Sequence, residues 1–159
     1  MKSFATWATI AVLVSAGSLA AHHSLIQFDT TTPLRLKGTV VLFERINPHS
    51  IIFIDQKTDN GPVQRWSVIG PQVNALDRMR AGKDFLKAGD VIEVCGFVLK
   101  EGIQSQGKAT GASMEGRPFN GHTLTMPDGK KWFWSDYGQI DKCLGAGETR
   151  ESLMRRAEE

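Results

Sequence analysis

Four runs of β-forming residues between Leu34 and Leu99, broken once by a helical segment, constrain the fold more than any other feature of the sequence. Leu34 to Phe43 places Leu34, Leu36, Val40 and Leu42 in period-two register, the spacing of a strand with one buried face. Gly38 falls inside this run, where a bulge or sharp bend is expected. Asn47-Pro48-His49 reads as a turn, because the residue before proline avoids helix and asparagine initiates turns. Ser50 to Gln56 follows as a second strand, Asp59-Asn60-Gly61-Pro62 as a hairpin-type turn, and Val63 to Ile69 as a third strand. Pro71 then opens a segment with Val73, Leu76 and Met79 at three-residue spacing, which Gly82 ends as a short helix. Ala88-Gly89-Asp90 turns the chain into a fourth strand, Val91 to Leu99. His122 to Met126 and Lys131 to Trp134, joined by Pro127-Asp128-Gly129, complete the pattern as a terminal hairpin.

Three strands, a short helix and two further strands is the order of a five-stranded Greek-key barrel of the oligonucleotide/oligosaccharide-binding (OB) type. The fold class expected is therefore all-β with one short helix. A long first strand that bends near a glycine suits such a barrel, since it must serve both sheets. A β-sandwich would need about seven strands. With 159 residues, the chain has room for one domain and a tail. The domain is expected over 21–135, with a Gly/Ser/Thr/Gln-rich surface loop at 101–121. Residues 136–159 form a charged, partly helical extension. A net charge of +2 argues against nucleic acid as a partner, because phosphate binding needs a strongly basic face.

Residues 1–20 read as a secretory signal peptide. Lys2 supplies the positive start, Phe4 to Val14 the apolar run, and Ser15 to Ala21 the small residues around a cleavage site. Cleavage after Ala20 puts Ser18 at −3 and Ala20 at −1, whereas cleavage after Ala21 puts the bulkier Leu19 at −3. A membrane span needs about 20 apolar residues, so a soluble periplasmic protein is expected, with no membrane attachment after cleavage. In an oxidising compartment Cys95 and Cys143 are a candidate disulfide pair that would pin the tail to the barrel. The alternative is two free thiols.

Histidine placement points to metal chemistry. Cleavage after Ala20 creates the terminus Ala21-His22-His23, whose amine, two deprotonated amides and third-position imidazole can wrap a square-planar Cu(II) or Ni(II), with Cu(II) at the top of the divalent affinity order. Cleavage one residue later makes His22 the first residue, and its amine and imidazole would chelate copper together with a second histidine from the fold. His49 is the further candidate ligand, fixed beside the rigid Pro48. An exposed histidine pair is also an ordinary polar terminus, and His49 an ordinary turn residue. His122, at a strand start, reads as structural.

The second constellation is aromatic. Trp132 and Trp134 share one face of the last strand and are candidates for a ligand platform, whereas Phe133 points to the other side. Either ring could instead fill the core, as Trp66 is expected to do. No nucleophile elbow, His-Glu-x-x-His or phosphate-binding glycine loop occurs, and no enzyme is expected. The expected function is a metal (copper) binding or carrier protein. The competing reading is a non-enzymatic module that binds a small ligand, a glycan or a periplasmic protein partner through its aromatic face.

The assembled motifs resemble an uncharacterised family of small exported bacterial proteins, described as a domain of unknown function. They are Ala21-His22-His23-Ser24, Phe28-Asp29, Pro33 through Gly38 to Val40, Asn47-Pro48-His49 and Trp66. Asn74-Ala75-Leu76 with Arg78, Leu86 through Gly89-Asp90 to Gly96, and Leu124 to Lys130 complete the set. The resemblance implies export and a small β-barrel. The long loop, the two cysteines and the tail beyond Ser135 depart from the family pattern.

Overall fold

A computed structural model describes residues 27–59, 61–103, 115–135 and 141–156. The leader, His22, His23 and most of the 101–121 loop lie outside the described residues. The chain is mostly β. Strands β1 (Leu34–Glu44), β2 (Ile51–Gln56) and β3 (Gln64–Ile69) form an antiparallel meander. A one-and-a-half-turn helix, α1 (Val73–Arg78), leads to β4 (Val91–Val98), which pairs antiparallel with β1. Strand β5 (Arg117–Thr125) pairs antiparallel with β4 and parallel with β3, and this closes the barrel. The order around the barrel is β1-β2-β3-β5-β4, the OB arrangement, with β6 (Lys131–Phe133) added to the outer edge of β5.

One strand serves both sheets, as the sequence suggests. The N-terminal half of β1 pairs with β4 from Leu34 to Thr39, and its C-terminal half pairs with β2 from Thr39 to Glu44. The irregularity that bends it falls between Val40 and Leu42, not at Gly38. Gly38 instead meets the backbone of Asp55, whose carbonyl oxygen would lie 2.9 Å from a Cβ at that position.

Alternation along β2 and β4 sends Ile52, Ile54, Ile92 and Val94 inward, where they meet Leu36, Val40, Val68, Phe119, Leu124 and Trp134. Trp66 joins this core, edge-on to Phe119, while its indole N–H donates to Gln56 Oε1 at 3.0 Å. Strand β5 starts at Arg117, five residues earlier than the local sequence suggests, and this shortens the expected 101–121 loop. The parallel register Trp66↔Arg117 to Ile69↔Asn120 supplies the backbone partners that draw this Pro- and Gly-containing stretch into the sheet. Arg65 supports the same seam. It donates to both carboxylate oxygens of Asp55 at 2.5 and 2.9 Å, and these bonds hold the Asp55 carboxyl below its usual range. It also pairs with Glu115 just before β5.

Outside the barrel, β4 presents Cys95 and Phe97, and the C-terminal segment covers this side. Cys95 is joined to Cys143, in a 3-10 turn at Asp141–Cys143, by a disulfide with S–S 2.03 Å. A short helix, α2 (Arg150–Arg156), buries Leu153 against Phe133 of β6. The two ends of the described chain meet here, since the Lys142 ammonium donates to the carbonyls of Thr30 and Thr31 at 2.6 and 2.9 Å. Further back, Phe28 bridges to Leu99, and Lys100 N–H donates to the Gln27 carbonyl at 2.9 Å.

Candidate functional site

The connection from β1 to β2 is the Asn47-Pro48-His49 corner, and its sequence explains its shape. Glu44 pairs with Ile51, so only residues 45–50 make the reversal. The Asn47–Pro48 peptide is cis. Asn47 Oδ1 accepts from the Val73 N–H at 3.2 Å, which ties the corner to the first turn of α1. Ser50 N–H donates to the Pro71 carbonyl at 3.0 Å, and Gly70 N–H donates to the Ser50 carbonyl at 2.8 Å. Arg45 forms an ion pair with Asp77 of α1. Asn47 and Pro48 are exposed, and His49 is half-buried at the rim.

Trp134 lies under this corner. Its ring is fully enclosed, stacked on Phe85 at 5.9 Å between centroids and tilted against Phe43 at 5.9 Å. Gly70 makes the approach possible. A Cβ there would lie 2.3 Å from Trp134 Nε1 and 2.8 Å from Ser50 Oγ, so any side chain would collide with both. Trp134 Nε1, Ser50 Oγ and Arg45 Nε are all enclosed, and none has a hydrogen-bond partner among the described residues. Most buried polar groups in folded proteins are partnered. Three exceptions belonging to one corner mark it as the most chemically unusual part of the barrel.

His49 is therefore a rim residue of this corner. The two tryptophans proposed as a platform are split by the structure. Trp132 is half-buried, edge-on to Phe85 at 4.8 Å, whereas Trp134 is 0% exposed and offers no open ring face to a ligand. Its position follows from alternation, but the choice of the inward side follows from barrel closure. Arg45, Ser50 and Gly70 are the residues that sequence reasoning passed over. Arg45 and Ser50 lie within two residues of the Asn-Pro-His motif, and polar residues at the base of a hairpin whose strands enter a core are the available signal.

His122 is the other unusual group. It is fully buried, edge-on to Phe97 at 4.9 Å, and neither ring nitrogen has a partner among the described residues. Burial lowers its pKa to about 4. It lies where the register of β4 and β5 shifts, between the pairs Cys95↔Thr123 and Gly96↔Gly121. Among the described residues, no group of three or more His, Cys, Asp or Glu side chains is placed to hold a metal ion. No described helix is long and apolar enough to cross a membrane.

No curated protein matches the chain. A family model described as "Family of unknown function (DUF6152)" matches residues 10–111, a span that takes in β1 to β4, α1 and the Asn-Pro-His corner and stops before the strand that closes the barrel. The chain belongs to this family of unknown function.

Proposed function

We propose that the protein is an exported periplasmic barrel that binds Cu(II) through the amino terminus exposed by signal cleavage, and that it acts as a copper-binding or carrier protein. The observation that carries this reading is the adjacent pair His22-His23 directly behind the cleavage site. The amine, two amide nitrogens and the His23 imidazole provide a tetragonal all-nitrogen set, the geometry Cu(II) favours. His49 joins the set only for the shorter terminus that begins at His22. The Cys95–Cys143 bridge agrees with an oxidising destination.

Copper uptake should fall as pH drops below the amine pKa of about 7.7–8.0, since amine and imidazole must both lose protons. The test is a Cu(II) titration read by electron paramagnetic resonance on chain processed by its own signal, with intact mass fixing the first residue. One stoichiometric copper with nitrogen hyperfine structure, lost on acetylating the terminus or in His23→Ala, supports the reading. Binding no better than that of a chain with a scrambled terminus overturns it.

The second reading, a small-ligand module, is favoured by the half-buried Phe43, Phe85 and Trp132 and by the unpartnered polar atoms of the Asn-Pro-His corner.

A further inference from the structure

We infer that the Cys95–Cys143 disulfide is a redox-sensitive latch. While closed, it docks the stretch Gln27–Thr31 against the end of β4, and its reduction by a dithiol loosens that stretch. The inference uses only described residues on the two sides of the bridge and does not depend on copper.

Cys95 on β4 lies opposite Arg35 on β1. Arg35 reaches the Glu93 carboxylate at 3.2 Å and the Cys143 carbonyl at 3.4 Å, so the Asp141–Cys143 turn is held to the barrel by its disulfide and by one guanidinium. Lys142 carries the connection onward, because its ammonium donates to the carbonyls of Thr30 and Thr31 at 2.6 and 2.9 Å. Asp29 shapes that target. Its carboxylate accepts from the Thr31 N–H at 3.0 Å and from the Thr31 hydroxyl at 2.5 Å, a local turn of the kind aspartate forms readily. The same stretch also lies on the end of β4, just past Cys95. Asp29 N–H donates to the Val98 carbonyl and Lys100 N–H to the Gln27 carbonyl, each at 2.9 Å, around the Phe28–Leu99 bridge. Gln27–Thr31 is thus gripped from two sides by the two elements that the disulfide joins.

The non-covalent links are weak singly. The Arg35 and Glu93 side chains are 46% and 38% exposed, so water screens their pairing. Lys142 is exposed as well, and Phe28, Asp29 and Thr30 are only half-buried, so the stretch has little apolar burial of its own. The bridge makes these links effective by keeping Lys142 beside Thr30 and Thr31, at a local concentration that an untethered turn would not sustain. The dependence also runs the other way. Cys95 and Cys143 are 1% and 0% exposed, so a dithiol reaches sulfur only after the turn lifts and the Arg35 and Lys142 bonds break. One thiolate of the reductant then attacks a cysteine sulfur, and its second thiol resolves the mixed disulfide. Two electrons and two protons pass to the protein, leaving two cysteine thiols and the reductant's own disulfide. What holds the stretch down therefore protects the bridge, and the bridge holds the stretch down.

The experiment compares amide hydrogen exchange in the processed chain, oxidised and held reduced with dithiothreitol. On reduction the Asp29 and Lys100 amides should exchange at least tenfold faster, while those of β2 and β3 keep their protection. Unchanged exchange at Asp29 and Lys100 overturns the proposal. So does an equal loss of protection in β2 and β3, which would make the bridge a support of the whole barrel. The second arm leaves the disulfide intact and times its reduction by dithiothreitol in Lys142→Met. Removing an ammonium near the bridge would by charge alone slow an attacking thiolate, whereas losing the hold on Thr30 and Thr31 speeds attack by easing the turn open. Reduction several-fold faster than in the parent chain is the expected result, and a rate equal to or below the parent's overturns the latch.

Discussion

Inside the barrel, Ile52, Ile54, Val68, Val94 and Leu124 belong to one buried apolar cluster; on its outer face, the described part of the C-terminal segment is held by a disulfide, the Lys131–Glu148 ion pair, the Arg35 guanidinium on the Cys143 carbonyl, Arg150 over the Phe133 ring and a lysine bound to two carbonyls. Each core side chain contributes about 1.5–3 kcal/mol through burial, and the contributions are spread over five strands. Among its described residues the C-terminal segment buries little besides Leu153 and Cys143, so their attachment depends on a few discrete links. One region is stable because many equivalent contacts share the load. The other is stable because the chain is fastened at chosen points.

Three perturbations probe that contrast, beginning with the barrel. In Gly96→Ala the new Cβ would lie 2.0 Å from the Asn120 carbonyl oxygen and 2.8 Å from Phe119 Cε1. Strand β5 would have to move away from β4, so more than about 3 kcal/mol of global stability should be lost. A urea midpoint close to that of the parent chain would show the barrel seam to be far more compliant than its pairing implies.

Removing the fastening should act differently. For the 48-residue separation of Cys95 and Cys143, the chain-entropy relation gives about 4 kcal/mol as the ceiling for the double Cys→Ser variant. The expected first sign is local: rapid tryptic cleavage at the exposed Lys142 and Arg150 while a barrel-sized fragment survives. Simultaneous loss of fragment and tail would mean the two regions form one cooperative unit.

The smallest effect tests the junction between the regions, at His122. Its folded pKa of about 4 lies below the unfolded value near 6.5, so the unfolded chain binds more protons between those limits. Stability is full above pH 6.5 and falls as the pH drops toward 4, by up to about 3 kcal/mol. His122→Phe, which keeps a ring beside Phe97, should flatten that part of the pH profile in urea unfolding. Parallel profiles for the two proteins would assign the acid sensitivity to other groups.

These regions were unequally legible in the sequence. Strands β1 to β4 show themselves through alternation, and the strand–helix–strand order is enough for the barrel topology. The start of β5 is hidden because Arg117-Pro118-Phe119-Asn120-Gly121 carries turn-forming residues, and only a partner distant in sequence makes it a strand. The bend in β1 falls beside a valine, where no local signal marks it. At the Asn-Pro-His corner the turn is readable, but the enclosed donors are not. They depend on Gly70 and Trp134, which lie far apart in the chain and become neighbours only once the barrel is shut.

That closure has a consequence for how the molecule comes into being. The pairing of Trp66 with Arg117 joins residues about fifty positions apart, a long-range step of the kind that slows folding. Until β5 arrives, β3 and β4 each have an edge with unused hydrogen-bonding groups, and such edges recruit strands from other molecules. A chain ending near residue 111, where the family match stops, would keep most of the recognisable motifs yet leave both edges bare. The strand that closes the barrel is thus the one that separates a self-contained molecule from a sticky sheet.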